Sequence, residues 1–320
     1  MFVTSDIYDL KRFARGWGAD WQEHLVSGVV VSGRSWQGSP AGARYFLEAA
    51  KLAGLSKFRW IGWRRRGERD ARPMGRRVLH RLADGLPTRV KGAEIILFRG
   101  DTIDLSSRQG VIVYGGEASA HYANFTGDEP PSKEPDGVFQ ATFLYPYSYD
   151  STRIAKNIFR TAATMLKAEY GYYFIRDDYC FPTGYPLGVS MPLDWSRTNL
   201  QDRAEIKNWE EFVYKGPYWT QRPLLRDIYE MNLISGRHTE ISAEDVAGLD
   251  DWIQKRPGRG ELEELGDGRL LWTLTEEEIV RVRPLLDRGG WLVSCNDRVY
   301  RGLANGGQSD VEADREVIIN

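Results

Sequence analysis

One stretch, Val138 to Gly188, restricts the fold more than any other part of the chain. It opens on an apolar, aromatic-rich run (Val138, Phe139, Phe143, Leu144, Tyr145) of the kind that lies in a strand. Pro146 and the polar Ser148-Tyr149-Asp150 stop that run, and Asp150 or Ser151 can cap a helix behind it. Ile154, Ile158, Ala162, Met165 and Leu166 then fall on one helical face as an amphipathic stripe. Gly171 suits the left-handed position just past a helix end. Tyr172–Ile175 reads as a second strand, ending in Arg176, Asp177 and Asp178. A long helix with one apolar face, set between two strands, has to pack onto a sheet.

Around this unit the chain reads as further strands and helices. Gly28–Gly33, Lys57–Trp63, Ala93–Phe98 and Gly110–Tyr114 have strand character, while Ala41–Leu52 and Met74–Leu86 have helical character. Gly115-Gly116 reads as a turn or bulge, or as a backbone nest for an anion. Past Gly188 the texture changes. Pro223–Ile234 is apolar on one helical face, and Glu244–Ile253 reads as a helix with an acidic start. Gly260–Leu274 reads as a hairpin turning on Gly266-Asp267-Gly268, and Thr275 with Glu278 forms a capping box for a helix over 276–287. Trp291–Cys295 closes as a strand. The expectation is an α+β or mixed α/β fold, a layered sheet with amphipathic helices. Residues 1–188 would form the core domain, with 189–320 a smaller α+β part, either separate or packed onto the first.

Charge is unevenly placed. The whole chain is close to neutral, at −2. Lys57–Lys91 nevertheless holds twelve basic residues against three acidic ones, and Glu240–Asn320 holds eighteen acidic against ten basic. Such asymmetry points to association more than to catalysis. The candidate partner-binding residues are Arg64, Arg65, Arg66, Arg76 and Arg77 on the basic side, with Glu276, Glu277 and Glu278 on the acidic side. The same arginines are the candidates for a phosphate-binding face in a nucleic-acid-binding protein; a solvated loop and helix edge is the plainer alternative.

Motifs that carry chemistry are missing. No GxSxG, GxGxxG or GxxxxGK[ST] occurs, and His24, His80, His121 and His238 are scattered without metal-ligand spacing. Cys180 and Cys295 are the only cysteines, which excludes a disulfide scaffold, and Cys180 in its aromatic setting reads as a buried thiol. Asp177 and Asp178 are the remaining acidic pair, joined by Asp194 and Glu230 if the fold brings them near. They could hold a divalent metal or act as acid and base. Alternatively they pair with Arg176, Arg197 or Arg226. No cofactor is indicated. The N-terminus has no apolar signal-peptide core and no run approaches 18 apolar residues, so the expectation is a cytoplasmic protein with no membrane association.

From the first strand through Arg34-Ser35-Trp36 to a helix with Arg44 and Phe46-Leu47, then Phe58–Trp63, Arg72-Pro73, Ile95–Phe98, VIVYGG at 111–116 and Asn124, the chain resembles immunity proteins of bacterial polymorphic-toxin and type VI secretion loci. The resemblance covers roughly residues 28–147. It implies a cytoplasmic protein, without catalytic residues, that binds and neutralises a cognate toxin or effector.

Overall fold

The computed structural model describes residues 25–34, 48, 60–65, 68–73, 93–98, 110–116, 138–177, 185–187, 205–206, 208–209, 224–239 and 248–293. Its strands are β1 (Leu25–Arg34), β2 (Trp60–Arg65), β3 (Glu68–Pro73), β4 (Ala93–Phe98), β5 (Gly110–Gly116), β6 (Val138–Pro146), β7 (Tyr170–Asp177), β8 (Met231–Ser235), β9 (Glu261–Gly266) and β10 (Arg269–Thr273). The described helices are α1 (Ser151–Thr161), α2 (Gly236–Thr239), α3 (Leu249–Gln254) and α4 (Glu276–Arg288). All ten strands join one sheet in the order β3-β2-β4-β5-β6-β1-β7-β8-β10-β9. The fold is α+β.

Every paired neighbour is antiparallel. The registers therefore define two ends of the sheet. Arg34, Arg65 and Arg269 mark the upper end, whereas Leu25, Pro146, Asp177, Thr273 and Glu261 mark the lower. The strands from the second half of the chain, β8, β10 and β9, extend the same sheet beyond β7.

β1 is buried along Leu25–Gly33 because β6 and β7 flank it and both of its faces are covered. The period-2 alternation sends Leu25, Val29 and Val31 to one face, with Ala141, Phe143 and Tyr145 of β6 and Tyr173 and Ile175 of β7. There α1 lays Ala155, Ile158 and Phe159 on the sheet, continued by Ala162, Ala163 and Leu166 in a wider π-type turn over Ala162–Leu166. Ile158, Ala162 and Leu166 of the predicted stripe are buried, and Ile154 and Met165 border it. The opposite face carries Val26, Val30, Tyr170, Tyr172 and Phe174, covered by Trp252, Ile253, Ile279, Val282 and Leu286 of α3 and α4. A three-layer sandwich results.

Gly28 lies opposite Phe174, and a Cβ built there would fall within the Phe174 ring. This is a packing requirement at the centre of the sheet. Gly28→Ala is expected to cost about 1–3 kcal/mol through overpacking. Adding Phe174→Leu should recover part of that loss in urea unfolding, and a variant as stable as the parent would contradict the packing.

Four local expectations change. Gly171 does not end the helix; Lys167, at φ 51°, takes the left-handed position, and Gly171 is a β7 residue opposite Val31 and Leu233. Gly115-Gly116 form neither turn nor nest, because the β5 ladder continues through them to Phe139 and Val138. The apolar run after Pro223 is no helix. Residues 224–230 are irregular and Met231–Ser235 is β8, whose five residues are all buried as a sheet interior requires. The segment Glu68–Pro73, which lacks an apolar alternation, is nonetheless β3, paired with β2 alone among the described residues. The helices expected at 41–52 and 74–86 lie outside the described residues, apart from Glu48, which is helical. Cys180 and Cys295 lie outside them too.

The β9–β10 hairpin turns as expected. Asp267 (φ 51°) and Gly268 (φ 68°) take the two left-handed central positions, and a register shift at Arg269/Leu270 marks a bulge. The capping box of α4 is complete: the Glu278 amide donates to Thr275 Oγ1 at 3.3 Å, and the Thr275 amide donates to Glu278 Oε2 at 2.8 Å. Thr275→Ala removes one side of it and is expected to cost about 1 kcal/mol, read as a lower denaturation midpoint.

Candidate functional site

The alternation that builds β7 places Tyr170, Tyr172, Phe174 and Arg176 on one face. Three phenol or guanidinium groups in a row cannot be left among apolar side chains without partners. The partners come from Tyr185, Glu205 and Trp209 and from the irregular strap 224–230. Leu225 fixes the strap in a single parallel bridge to Leu292: the Leu225 amide donates to Trp291 O at 2.9 Å, and Val293 donates to Leu225 O at 3.0 Å. That bridge drives the next side chain, Arg226, into the layer over β7.

Arg226 is completely buried. Its Nε donates to Glu205 Oε1 at 2.7 Å, and its Nη1 donates to Tyr172 OH at 2.8 Å and to Tyr185 O at 2.6 Å. Its backbone amide donates to Tyr170 OH at 2.7 Å. The guanidinium also lies 3.8 Å from the Tyr185 ring centroid and 5.2 Å from Trp209. Nη2 has no hydrogen-bond partner, and these aromatic faces are what it meets instead. Glu205 collects further donors: Tyr185 OH at 3.2 Å and Arg176 Nη2 at 3.4 Å. Arg176 in turn lies 3.9 Å from the Tyr185 centroid. Tyr229 stacks on Tyr172 at 4.6 Å and shares a hydrogen bond with Tyr185 OH at 2.9 Å.

Electrostatically this is a clasp of fixed charges. Burial works against the Arg226 cation, but Glu205 together with Tyr172, Tyr185 and Tyr229 outweighs it, so its pKa stays well above the usual arginine value. Burial pushes the Tyr172 phenol up to about 12, against the pull of Arg226, and raises Tyr185 and Tyr229 as well. The phenols are neutral donors and acceptors at any physiological pH. Glu205 is occupied by three donors and makes a poor base. The arrangement binds β7, Tyr185, Glu205, Trp209 and the strap to one another.

A second ion pair follows on the same strap. Asp227 Oδ2 accepts from Arg283 Nη2 of α4 at 2.6 Å, and Asp227 Oδ1 caps the Ile228 amide at 2.7 Å. Burial raises the pKa of nearby Asp287, partly opposed by Arg283. His238 of α2 is buried and stacks on Tyr170 at 5.5 Å. Its Nδ1 accepts from the Ser235 amide at 3.2 Å, and burial first, then Arg237, lowers its pKa to about 3.

The residues singled out from the sequence are placed as follows. Arg64 and Arg65 lie on β2, opposite Arg69 and Glu68 of β3, at the upper end of one edge of the sheet. Arg66, Arg76, Arg77 and Asp178 lie outside the described residues. Glu276 and Glu277 are exposed in the first turn of α4, and Glu278 works in the capping box. Because α4 starts just past Thr273 of β10, these glutamates sit at the lower end of the opposite edge. The two charged groups thus lie towards diagonally opposite corners, seven strand spacings from β2 to β10 or roughly 34 Å apart. Asp177 ends β7 opposite Leu25. Among the described residues no group of three or more His, Cys, Asp or Glu side chains could hold a metal ion. No helix among them is long and apolar enough to cross a membrane.

Sequence reasoning missed the Arg226 clasp, although it named Arg176 and Arg226 as ion-pair partners. The signal available was an Arg-Asp pair inside an otherwise apolar run, LLRDIYEMNLI, together with tyrosines two apart at 170 and 172. Their common acidic partner, Glu205, lies 21 residues before Arg226 and carries no local signature.

No family model and no curated protein matches the chain. Among solved structures, a Pseudomonas aeruginosa T6SS protein, PA0821, is similar in outline, with 12% sequence identity over 90% of this chain and 74% of that one and a TM-score of 0.46.

Proposed function

We propose that this chain is a non-enzymatic, immunity-type protein that binds and neutralises a cognate protein toxin or effector. One observation carries the reading: Arg64 and Arg65 of the basic stretch stand towards one edge of a single ten-stranded sheet, and Glu261, Glu276 and Glu277 of the acidic stretch towards the other. At roughly 34 Å the two groups lie several screening lengths apart in physiological salt, where that length is about 8 Å, so each acts as a separate steering surface. Charge set out at the periphery of a packed sheet suits protein association. The most charged interior cluster is locked in internal bonds, which suits a scaffold.

The test is a pull-down from host lysate with the tagged full-length chain at moderate salt, followed by mass spectrometry and by co-expression with whatever is retained. One stoichiometric protein whose toxicity the chain relieves would support the reading. Recovery of nucleic acid, lost when Arg64 and Arg65 are changed to Glu, would replace it with nucleic-acid binding. Metal-dependent hydrolysis abolished by Asp177→Ala would replace it with an enzyme.

A further inference from the structure

Two strands close the sheet among the described residues, β3 on one side and β9 on the other, and they differ in kind. β3 reads Glu68-Arg69-Asp70-Ala71-Arg72-Pro73, charges of both signs ending in a proline, which blunts an edge against further pairing. β9 reads Glu261-Leu262-Glu263-Glu264-Leu265-Gly266 and has no proline. It pairs with β10, and beyond that ladder no backbone hydrogen bond reaches residues 261–266 among the described residues. Its outer side therefore presents a row of N–H and C=O groups without backbone partners.

Both faces of β9 are already layered. Leu262 packs against the core under α3 and α4, and Leu265 against the core under α1. α3 comes against β9 on one face and the π-type turn of Ala162–Leu166 on the other. Both leucines nevertheless stay only partly buried, because the layers reach the outermost strand and no described strand flanks it. One more strand at this edge would complete their burial and satisfy the open backbone groups together.

Charge selects the occupant. Alternation puts Glu261 and Glu263 on the α1 side and Glu264 on the α3 side. Arg160 of α1 already holds Glu263 at 2.7 and 3.0 Å. Glu261 and Glu264 are exposed and make no ion pair among the described residues. A second copy fits poorly, since like charges opposite one another destabilise a strand pair. Every antiparallel register that overlaps nearly all of β9 sets Glu263 on Glu263, Glu263 on Glu264 or Glu264 on Glu264. A strand that matches the edge carries instead an apolar, a basic, an apolar and a basic side chain, opposite Leu265, Glu264, Leu262 and Glu261 in turn. It runs antiparallel, as every paired neighbour in this sheet does.

We propose that the outer edge of β9 is a strand-addition site, and that it takes an extended segment of a partner protein with lysine or arginine opposite Glu261 and Glu264. This rests on the protein-binding reading above and names the edge at which the partner attaches.

The test is a titration of the full-length chain with a fluorescent peptide carrying the order leucine-lysine-threonine-valine-lysine between threonines. The same peptide methylated on its backbone nitrogens is the control. The parent chain binds the plain peptide, and binding slows hydrogen exchange at amides within residues 261–266. Methylation keeps the charge and removes the backbone donors, so it should weaken binding about ten-fold. Glu261→Lys/Glu264→Lys should weaken the plain peptide roughly ten-fold as well. Both side chains are exposed, so that variant should keep the thermal midpoint of the parent. Glu276→Gln/Glu277→Gln, off the strand, should leave binding within about two-fold. No binding, equal binding of the two peptides, equal binding by the parent and the lysine variant, or a dimer of the chain that the peptide dissolves would each overturn the proposal. If the protein retained in the pull-down binds the lysine variant as well as the parent, this edge is wrong while the protein-binding reading stands. If the peptide binds as expected and no protein is retained, the strand-addition site stands and that reading falls.

Discussion

Replacing Arg226 by alanine is expected to lower the unfolding free energy by about 3–5 kcal/mol, the usual cost of breaking a buried ion pair from one side. The change strands Glu205, nearly fully buried, with Arg176 at 3.4 Å as its remaining described cation. It also leaves Tyr172 OH and Tyr185 O without a donor they now share. Glu205→Leu alone should be similarly severe, because it leaves the Arg226 cation in an aromatic cage. The double variant Arg226→Met/Glu205→Leu should cost distinctly less than the sum of the two, since no uncompensated charge is left and the volume is kept. Urea unfolding of the four proteins closes the cycle. Additive losses would mean that the two residues do not act as a pair. Arg226 is one of the strap's buried anchors, beside the Leu225–Leu292 bridge and the Asp227–Arg283 contact, and its own amide donates to Tyr170 OH, so Arg226→Ala should also speed hydrogen exchange at the amides of 225, 226 and 293.

Acid should find its way into the fold through His238. The folded pKa of about 3 lies below the ordinary histidine value of 6.5, so the imidazole is neutral in the native state at neutral pH. A base depressed in this way contributes stability that is complete above pH 6.5 and is lost as pH falls from 6.5 towards 3. At 1.36 kcal/mol per pH unit the loss reaches at most about 5 kcal/mol. His238→Phe keeps the stacking on Tyr170 but removes the acceptor for the Ser235 amide, so it should cost stability at neutral pH. Its stability should nevertheless fall less steeply between pH 6.5 and 4 than that of the parent. Carboxylates titrate in the same window in both proteins, and the difference between the curves isolates His238. Parallel curves would show that the ring is protonated without penalty.

What the sequence made legible follows from how locally each element is encoded. The helix over α1, the hairpin at Gly266-Asp267-Gly268 and the capping box of α4 depend on neighbours within four residues, and all three formed as read. The strap at 224–230 and β8 did not, because five consecutive buried residues, Met231–Ser235, carry no alternation to separate a strand buried on both faces from a helix. β3 was invisible for the opposite reason: its charged residues suit an exposed edge, and its pairing with β2 is fixed by the partner strand. The clasp escaped notice because its three charges come from β7, from 205 and from 226, and only the sheet brings them together. The polarised charge was readable as composition. Its consequence, two diagonally opposite corners, needed the strand order.

The central claim, that this chain acts by binding a cognate protein, is tested most directly by hydrogen–deuterium exchange of the full-length chain alone and with the protein recovered from its host. Partner-induced protection should gather at a charged end of the sheet, either residues 60–73 or residues 261–263 and 276–281. Protection at neither, or no retained protein at all, would contradict it.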